Sequence, residues 1–487
     1  MIDAAVHAPP VPDDAERHHA SGLEAMRAGD RPAAIAHFRA AIGLAPRAAA
    51  YHANLGSALQ GEGCLEAAVA AFDRASALAP DNPAIHHNRG NALLALRHPA
   101  DAAGAQARAV ALAPRDARFR YALGLALDRA DRREAAEESY RAALTSDPGH
   151  AHARSALALL RLAAGDRAGA MALWREQALR ERGPGTVPAP AARLANRGKL
   201  RHDVEQLRWL GLHGGRSDLA ALAPRYDALL ARMPNGEGEG ARRPVALPDE
   251  ALALLGGTYG REIHRIDAPD AADGALAARD WGSVEAAYAA DAPGIVAVDG
   301  LLTADALSGL RRFCLGSTIF HHIKHGGYVG AYLPEVATPL LVQIAEELPR
   351  RMPSVFRQHR LRQMWIYKYD SHMDGIGLHA DAAAVNVNFW LTPDEANLDP
   401  GSGGLVVHRC EAPLDWSFRR FNEDEAAIAD YVARHGAGSL TIPYRCNRAI
   451  IFHSDLFHAT DRFRFRDRYE DRRLNVTLLY GDRADAA

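Results

Sequence analysis

Lysine is nearly missing from this chain. Of 57 basic residues only Lys199, Lys324 and Lys368 are lysines and the other 54 are arginines, which reads as the codon bias of a GC-rich bacterial genome and not as a binding surface. An excess of either charge is missing too, since the formal net charge is -3 over 487 residues. A protein held on nucleic acid needs a basic field, so nucleic acid is not an expected partner. Cysteine is scarce: Cys64, Cys314, Cys410 and Cys446 are scattered without a C-x-x-C pair. That excludes a disulfide framework and a thiolate zinc site, and the expectation is four reduced core residues. Long apolar runs are also missing. The opening MIDAAVHAPPVPDDAERHHA holds no signal-peptide core, and no window approaches the roughly 18 apolar residues of a membrane span. The expectation is a soluble cytoplasmic protein with no membrane contact. What the chain does have is length, more than one hydrophobic core organises, so two or three domains are expected.

The N-terminal third is periodic. Prolines stand at Pro46, Pro80, Pro114 and Pro148 and glycines at Gly22, Gly56, Gly90 and Gly124, each 34 residues apart. Alanines at Ala34, Ala68, Ala102, Ala136 and Ala170 keep the same step, and four residues after each comes Phe38, Phe72, Gln106, Tyr140 and Trp174. A small residue lets one helix approach its partner, an aromatic fills the space between successive pairs, and proline stops the second helix. The units are 15–48, 49–82, 83–116, 117–150 and 151–184, after a flexible N-terminus over 1–14. These columns resemble the tetratricopeptide repeat family. The departures are Gln106 in the aromatic column, Ala158 in the glycine column and the missing fifth proline, which suit a worn cap. The resemblance implies an all-α solenoid that takes a protein or peptide partner, with oligomerisation or support of the next domain as the other reading.

Residues 185–290 lose the period. GTVPAPAAR and PNGEGEGARRP punctuate VEQLRWLGLHGGRSDLAALAPRYDALLARM, whose apolar spacing of three and four predicts a helical connector. From 291 to 487 the texture becomes β-rich: GIVAV, LRQMWIYKY, AAVNVNFWL, GGLVVH, GSLTI, RAIIFH and RRLNVTLLY are predicted antiparallel strands of a barrel or sandwich. Helices are predicted around TADALSGLRRFC and LPEVATPLLVQIAEELPRRM. The domain organisation expected is therefore multidomain α + β.

In LHADAAAVNVNFWL an extended chain puts His379 and Asp381 on one face, their Cα atoms about 6 to 7 Å apart. One nitrogen and one anionic oxygen can grip a metal, and His458, just past the strand ending at His453, is the strongest third ligand. Two histidines and a carboxylate leave half of an octahedron open, the arrangement of non-haem Fe(II) oxygenases; zinc accepts the same ligands. In RRLNVTLLY, Arg473, Asn475 and Thr477 share a face, and an arginine inside a barrel needs an anion because its charge cannot be shed.

His379-Ala380-Asp381, then His458, then Arg473 opening a last strand resembles the 2-oxoglutarate/Fe(II)-dependent dioxygenases over roughly Gly294 to Asp482, with GIVAVDGLLTADALSGLRRFC and GSGGLVVH similar to the prolyl-hydroxylase-like branch. The resemblance implies a double-stranded beta helix, or jelly roll, with flanking helices. It implies Fe(II) on His379, Asp381 and His458, 2-oxoglutarate chelated to that iron with its distal carboxylate on Arg473, dioxygen in the last position and ascorbate as accessory reductant. Tyr369, on the strand before H-x-D, stands where that branch has a cosubstrate-binding tyrosine. Asn475 and Thr477 are similar to the last strand of the oxidative nucleic-acid demethylases, although Leu479 replaces that group's further arginine. Asp381 sets the chain apart from halogenating relatives, which give up this carboxylate. The implied activity is hydroxylation of an unactivated C–H bond, on a protein side chain or a carrier-bound peptide brought by the repeats, or on a small metabolite. The other reading of the whole chain is a repeat scaffold with a non-catalytic oxygenase-like domain.

Four points stay open in the sequence. His453 competes with His458, and Arg468, in a charged loop, competes with Arg473. Asn386, Asn388 and Trp390 share a face that is either outward or in the pocket, where Asn388 would meet cosubstrate or substrate. The insertion WSFRRFNEDEAAIADYVARHG could form a lid. His321, His322, His325 and His372 are expected on the surface or in loops, and Lys324 and Lys368 at exposed positions.

Overall fold

A computed structural model of the chain describes residues 14–186, 190–233, 243–324, 328–357, 359–373 and 375–483. His325 lies outside the described residues. The chain divides into two compact units between Leu160 and Arg161.

The first unit is a series of helix pairs: α1 (Asp14–Ala28) with α2 (Arg31–Leu44), α3 (Ala49–Gly61) with α4 (Leu65–Leu78), α5 (Pro83–Ala95) with α6 (Pro99–Leu112), and α7 (Ala117–Arg129) with α8 (Arg133–Ser146). The next helix, α9 (Ala151–Ala163), begins one period later. Each proline of the 34-residue column sits two residues past a second helix, where it stops the turn from continuing. The alanine column is fully buried. The aromatic column packs within its own pair as well as between pairs: a Cβ on Gly22 would meet the Phe38 ring at 2.5 Å, on Gly56 the Phe72 ring at 2.8 Å, and on Gly124 the Tyr140 ring at 2.6 Å. In the third pair Gln106 fills this slot under Gly90. Its buried amide is satisfied, donating to His87 O and Asn91 Oδ1 and accepting from His87 Nδ1.

One further periodic column does structural work. His52 Nε2, His86 Nε2 and Arg120 Nε donate to the carbonyls of Pro46, Pro80 and Pro114 at 2.9, 2.8 and 2.6 Å, and Arg154 does the same to Pro148. Each such side chain satisfies the carbonyl of the proline that follows the preceding helix.

The second unit takes the last turn of α9 and continues with α10 (Arg167–Arg182). The connector holds α11 (Arg197–His213), shorter helices at Ser217–Ala220, Ala223–Leu230, Asp249–Leu254 and Trp281–Ala290, and a ribbon that the helical reading did not contain, β1 (Leu194–Ala195) on β2 (Val245–Ala246). Leu200, Val204, Leu207 and Leu210 of α11 bury against Tyr226, Leu229 and Tyr259, so the connector has its own core.

The β-rich region is two antiparallel sheets. The larger has seven strands in the order β3 (Ile295–Val298), β12 (Ala449–His453), β9 (Val385–Trp390), β15 (Leu474–Tyr480), β6 (Leu361–Lys368), β5 (Tyr328–Tyr332), β4 (His322–Lys324). The smaller runs β11 (Ser439–Ile442), β10 (Leu405–Glu411), β13 (Leu456–Thr460), β8 (Ile376–His379). A further pair joins β7 (His372–Met373) to β14 (Phe463–Arg464). Trp390, Ile450 and Phe452 of the large sheet pack on Leu405, Val407 and Leu456 of the small one, so the core lies between the sheets. The predicted helices form at Ala304–Gly316 and Pro339–Arg351, the latter accepting Tyr480 Oη at Ala345 O.

Several expectations are corrected. Asp381 lies two residues beyond the end of β8, not on a strand, and His458 sits on a strand of its own. All four cysteines are free, but only Cys314 and Cys410 are buried; Cys64 is exposed and Cys446 intermediate. Lys368 is 1 % exposed, and Lys324 is half-buried on β4. His321 and His322 are half-buried, and His322 is a strand residue.

Candidate metal centre

Pairing of β8 with β13 sets His379 directly opposite His458, their ring centroids 4.4 Å apart. The chain then turns at Ala380 and brings the Asp381 carboxylate to 3.5 Å from His458 Nε2. One ligand atom from each of the three residues lies within 4.8 Å of the others. His379 Nδ1 donates to Gly377 O at 2.8 Å and His458 Nδ1 to Leu456 O at 3.0 Å. These bonds select the tautomer with a bare Nε2 and aim both lone pairs at one point. His453, the rival ligand, belongs to the large sheet, opposite Val385, and is not in this group.

The charges are arranged for a cation. Burial, and then the neighbouring His458, hold the His379 imidazole below its ordinary value, so it stays neutral. Burial alone would raise the Asp381 carboxyl, but the neighbouring His458, then His379 and the Asn386 amide outweigh it and keep the group below the usual range. Two imidazole nitrogens and one carboxylate converge, with Asp381 and His458 nearly buried.

A relay of amides supports the carboxylate. Asn386 Nδ2 donates to Asp381 Oδ2 at 2.6 Å, Asn388 Nδ2 to Asn386 Oδ1 at 2.6 Å, and Asn388 Oδ1 accepts from Asn475 Nδ2 at 3.0 Å and Thr477 Oγ1 at 2.7 Å. The Asn386, Asn388 and Trp390 face is therefore inward. Asn388, Asn475 and Thr477 hold one another within this relay, and its member nearest the Asp381 carboxylate is Asn386. Alternation along β9 put Asn386 on that face, but only the register with β15 shows the connection.

Adjacent arginines before β15 have opposite environments. Arg472 is paired, with Asp370 at 2.9 Å and Glu205 at 2.7 Å. Arg473 is 1 % exposed and among the described residues meets no carboxylate. Its Nε donates to Gly403 O at 2.9 Å, while Nη1 is buried without a partner. Tyr369, Phe463, Trp390 and Tyr444 surround its guanidinium carbon at 4.7, 5.4, 5.5 and 5.9 Å. A desolvated guanidinium with an unused donor in an aromatic box fits a carboxylate. Arg468 is exposed and outside the strand. No spacing rule could have marked Phe463, Tyr444 or Gly403, which arrive from three other segments.

The insertion before the distal histidine is not a free flap. It folds into helices Phe418–Asn422 and Glu425–His435, and Phe421 and Ile428 bury against Ala380 and Phe457. Ala380 N donates to Phe421 O and Asn422 Nδ2 to Ala380 O, so the insertion braces the turn between His379 and Asp381.

Comparison with known proteins reaches the helical repeats. The family described as "TPR repeat" matches residues 61–96, and "Tetratricopeptide repeat" matches residues 87–151 and 124–187. No curated protein matches the chain. Among solved structures, MamA from Desulfovibrio magneticus RS-1 is 24 % identical, covering 34 % of this chain and 95 % of its own, with a TM-score of 0.33. YrrB, described as a TPR protein with an unusual peptide-binding site, is 22 % identical over 34 % of this chain and 84 % of its own, TM-score 0.31. PilF of Pseudomonas aeruginosa is 21 % identical over 45 % and 91 %, TM-score 0.32. No helix among the described residues is long and apolar enough to cross a membrane. Residues 61–187 are tetratricopeptide repeats, followed by an antiparallel β-rich region that carries a His-Asp-His cluster.

Proposed function

We propose that the second unit is an Fe(II)- and 2-oxoglutarate-dependent dioxygenase of double-stranded beta-helix type that hydroxylates an unactivated C–H bond. The observation that carries this reading is the convergence of His379, Asp381 and His458 while Arg473, with an unused donor, waits in an aromatic box without a carboxylate. The donor set fits Fe(II): two imidazole nitrogens and one carboxylate are the donors that non-haem Fe(II) oxygenases use, and such a metal would supply the activation of a 2-oxo acid and dioxygen. His379, Asp381 and His458 would hold the metal, and Arg473 with Tyr369 would hold the distal carboxylate of 2-oxoglutarate.

When bound, iron supplies the oxidation of 2-oxoglutarate by dioxygen to succinate and carbon dioxide, with the second oxygen atom placed on the substrate as hydroxyl. The protein's part is orientation. Gly377 O and Leu456 O fix the imidazole tautomers, the Asn386 amide keeps the Asp381 carboxylate aimed, and the packed sheets exclude water from Arg473. Tetratricopeptide repeats suit delivery of a protein or peptide substrate, since such solenoids present extended binding surfaces.

Succinate release from the full chain with Fe(II) and 2-oxoglutarate tests the reading. The wild type should release it and Asp381→Ala should not. Equal rates would favour the second reading, a repeat scaffold with a non-catalytic domain, which the family matches in the helical part support. Single-oxygen mass additions in a lysate that require 2-oxoglutarate would then identify the substrate.

A further inference from the structure

On the inner face of the large sheet, register aligns side chains from β4, β5, β6 and β15 in rows. Lys324 is opposite Tyr328; His322, Gly330, Tyr367 and Asn475 form the next row, and Tyr332, Trp365 and Thr477 the one after. The result is a wall of tyrosines. Tyr328 stacks on Tyr369 at 4.8 Å, Tyr332 and Tyr367 share a hydrogen bond of 2.7 Å between hydroxyls, and Gly330 leaves room for the Tyr367 ring, which a Cβ would approach to 3.0 Å.

The inner end of this wall is Arg473, beside Tyr369. Its edge carries a second cation, Lys324, whose Nζ lies 4.8 Å above the Tyr332 ring and 5.7 Å from that of Tyr367. Lys324 is half-buried, and among the described residues no carboxylate pairs with it; the nearby Glu335 is occupied by His322 at 3.4 Å and by Arg182 at 3.8 Å. Burial depresses its ammonium, with no anion to offset the cost. The wall joins the relay behind Asp381: Asn475 and Thr477 share its rows with Tyr367 and Trp365 and bond Asn388, which bonds Asn386, which bonds Asp381. In a chain of three lysines this one lies half-buried and, among the described residues, without a carboxylate partner, on the sheet face that bears Arg473, Asn475 and Thr477.

We propose that Lys324 receives an anionic group, carboxylate or phosphate, of the primary substrate and holds it at the edge of the tyrosine wall while the reacting carbon reaches the centre formed by His379, Asp381 and His458. This rests on the dioxygenase reading and assigns the two cations different acids: Arg473 takes the cosubstrate and Lys324 the substrate. The substrate class is thereby an acidic one, such as a peptide with an aspartate, glutamate or phosphorylated residue near the hydroxylated position.

The test uses the full chain loaded with Mn(II) and saturating 2-oxoglutarate, which fills the Arg473 site without turnover. It is titrated calorimetrically with the N-acetyl amides of glutamate, glutamine, phosphoserine and serine. An acidic probe should bind about tenfold tighter than its neutral counterpart, the order expected for a hydrogen bond to a charged group. Lys324→Gln should erase that preference and Lys324→Arg retain it, which separates loss of the charge from loss of the fold. Preference for glutamate or for phosphoserine tells the two sources apart. Equal binding of acidic and neutral probes, no binding of any probe, or a preference that survives Lys324→Gln overturns the proposal. Failure to load Mn(II) and 2-oxoglutarate would sink the dioxygenase reading instead; the same four titrations on Arg473→Ala protein, compared with its Lys324→Gln double variant, would then still judge Lys324.

Discussion

Asn386 donates to the same Asp381 oxygen, Oδ2, that lies 3.5 Å from His458 Nε2. One carboxylate oxygen thus faces the imidazole and is held from behind by an amide that itself receives a hydrogen bond from Asn388. The carboxylate cannot rotate away from the histidines without leaving a buried amide unpaired.

Asn386→Ala should therefore weaken metal binding by about 10- to 100-fold, the usual cost of removing a partner of a metal ligand. Titration of the full chain with Co(II), followed by its visible absorption, measures this. Unchanged affinity would mean that the relay does not orient Asp381.

Arg473→Ala should raise the apparent KM for 2-oxoglutarate by about 10- to 100-fold, because it removes hydrogen bonds to a charged group, while Co(II) affinity stays nearly unchanged. Arg473→Lys should recover little, since an ammonium lacks the guanidinium fork. The reverse pattern, metal loss with KM kept, would show the arginine assigned to the wrong ligand.

Lys368 was expected at the surface and is among the largest fully buried side chains, its Nζ unpartnered and 3.1 Å from the Tyr469 ring centroid. Burial holds its ammonium well below the ordinary value, with Arg472 adding to the effect. The unfolded chain thus takes up a proton at neutral pH that the native state resists, which destabilises the fold. Lys368→Met should raise stability by roughly 1–4 kcal/mol, read as a shift in the guanidinium midpoint; a lowered midpoint would contradict it.

His202 predicts an acid sensitivity. Burial is the first cause that depresses its imidazole to about 3; the Asp203 hydrogen bond opposes this and the neighbouring Lys199 charge adds to it. Above about pH 6.5 neither state is protonated and stability is full. As pH falls from 6.5 toward 3 the unfolded chain binds a proton that the native state refuses, so stability falls. Between pH 7 and 5 the wild type should lose about 2 kcal/mol more than His202→Gln. Denaturation at the two pH values decides it, and parallel losses would remove His202 as a cause.

Gly124→Ala would drive a methyl to 2.6 Å from the Tyr140 ring. Destabilisation of roughly 1–3 kcal/mol is expected, with Gly29→Ala, where a Cβ meets nothing but φ is +81°, as the contrast between a packing and a backbone effect. Helical circular dichroism during urea titration reports both.

Much of this protein could be read along the chain. Where each unit repeats the same contacts, columns such as Ala34 to Ala170 announce them at a fixed step, and alternation in RRLNVTLLY sorts Arg473, Asn475 and Thr477 from Leu474, Val476 and Leu478 because strand side chains change face at every residue. The sequence also marked His379, Asp381 and His458 as a group, since they differ from their apolar surroundings, and the fold brings the three together. Only the tertiary structure decided what each polar group meets. Two adjacent arginines, alike in sequence, part at the start of β15, Arg472 to Asp370 and Glu205 and Arg473 to an aromatic box. Lys324 and Lys368, alike in scarcity, lie one on a tyrosine wall and one against Tyr469. Periodicity fixes the face of a side chain but not its neighbours; those come from strand register between segments that can lie more than a hundred residues apart, and solvation and charge pairing follow from the neighbours.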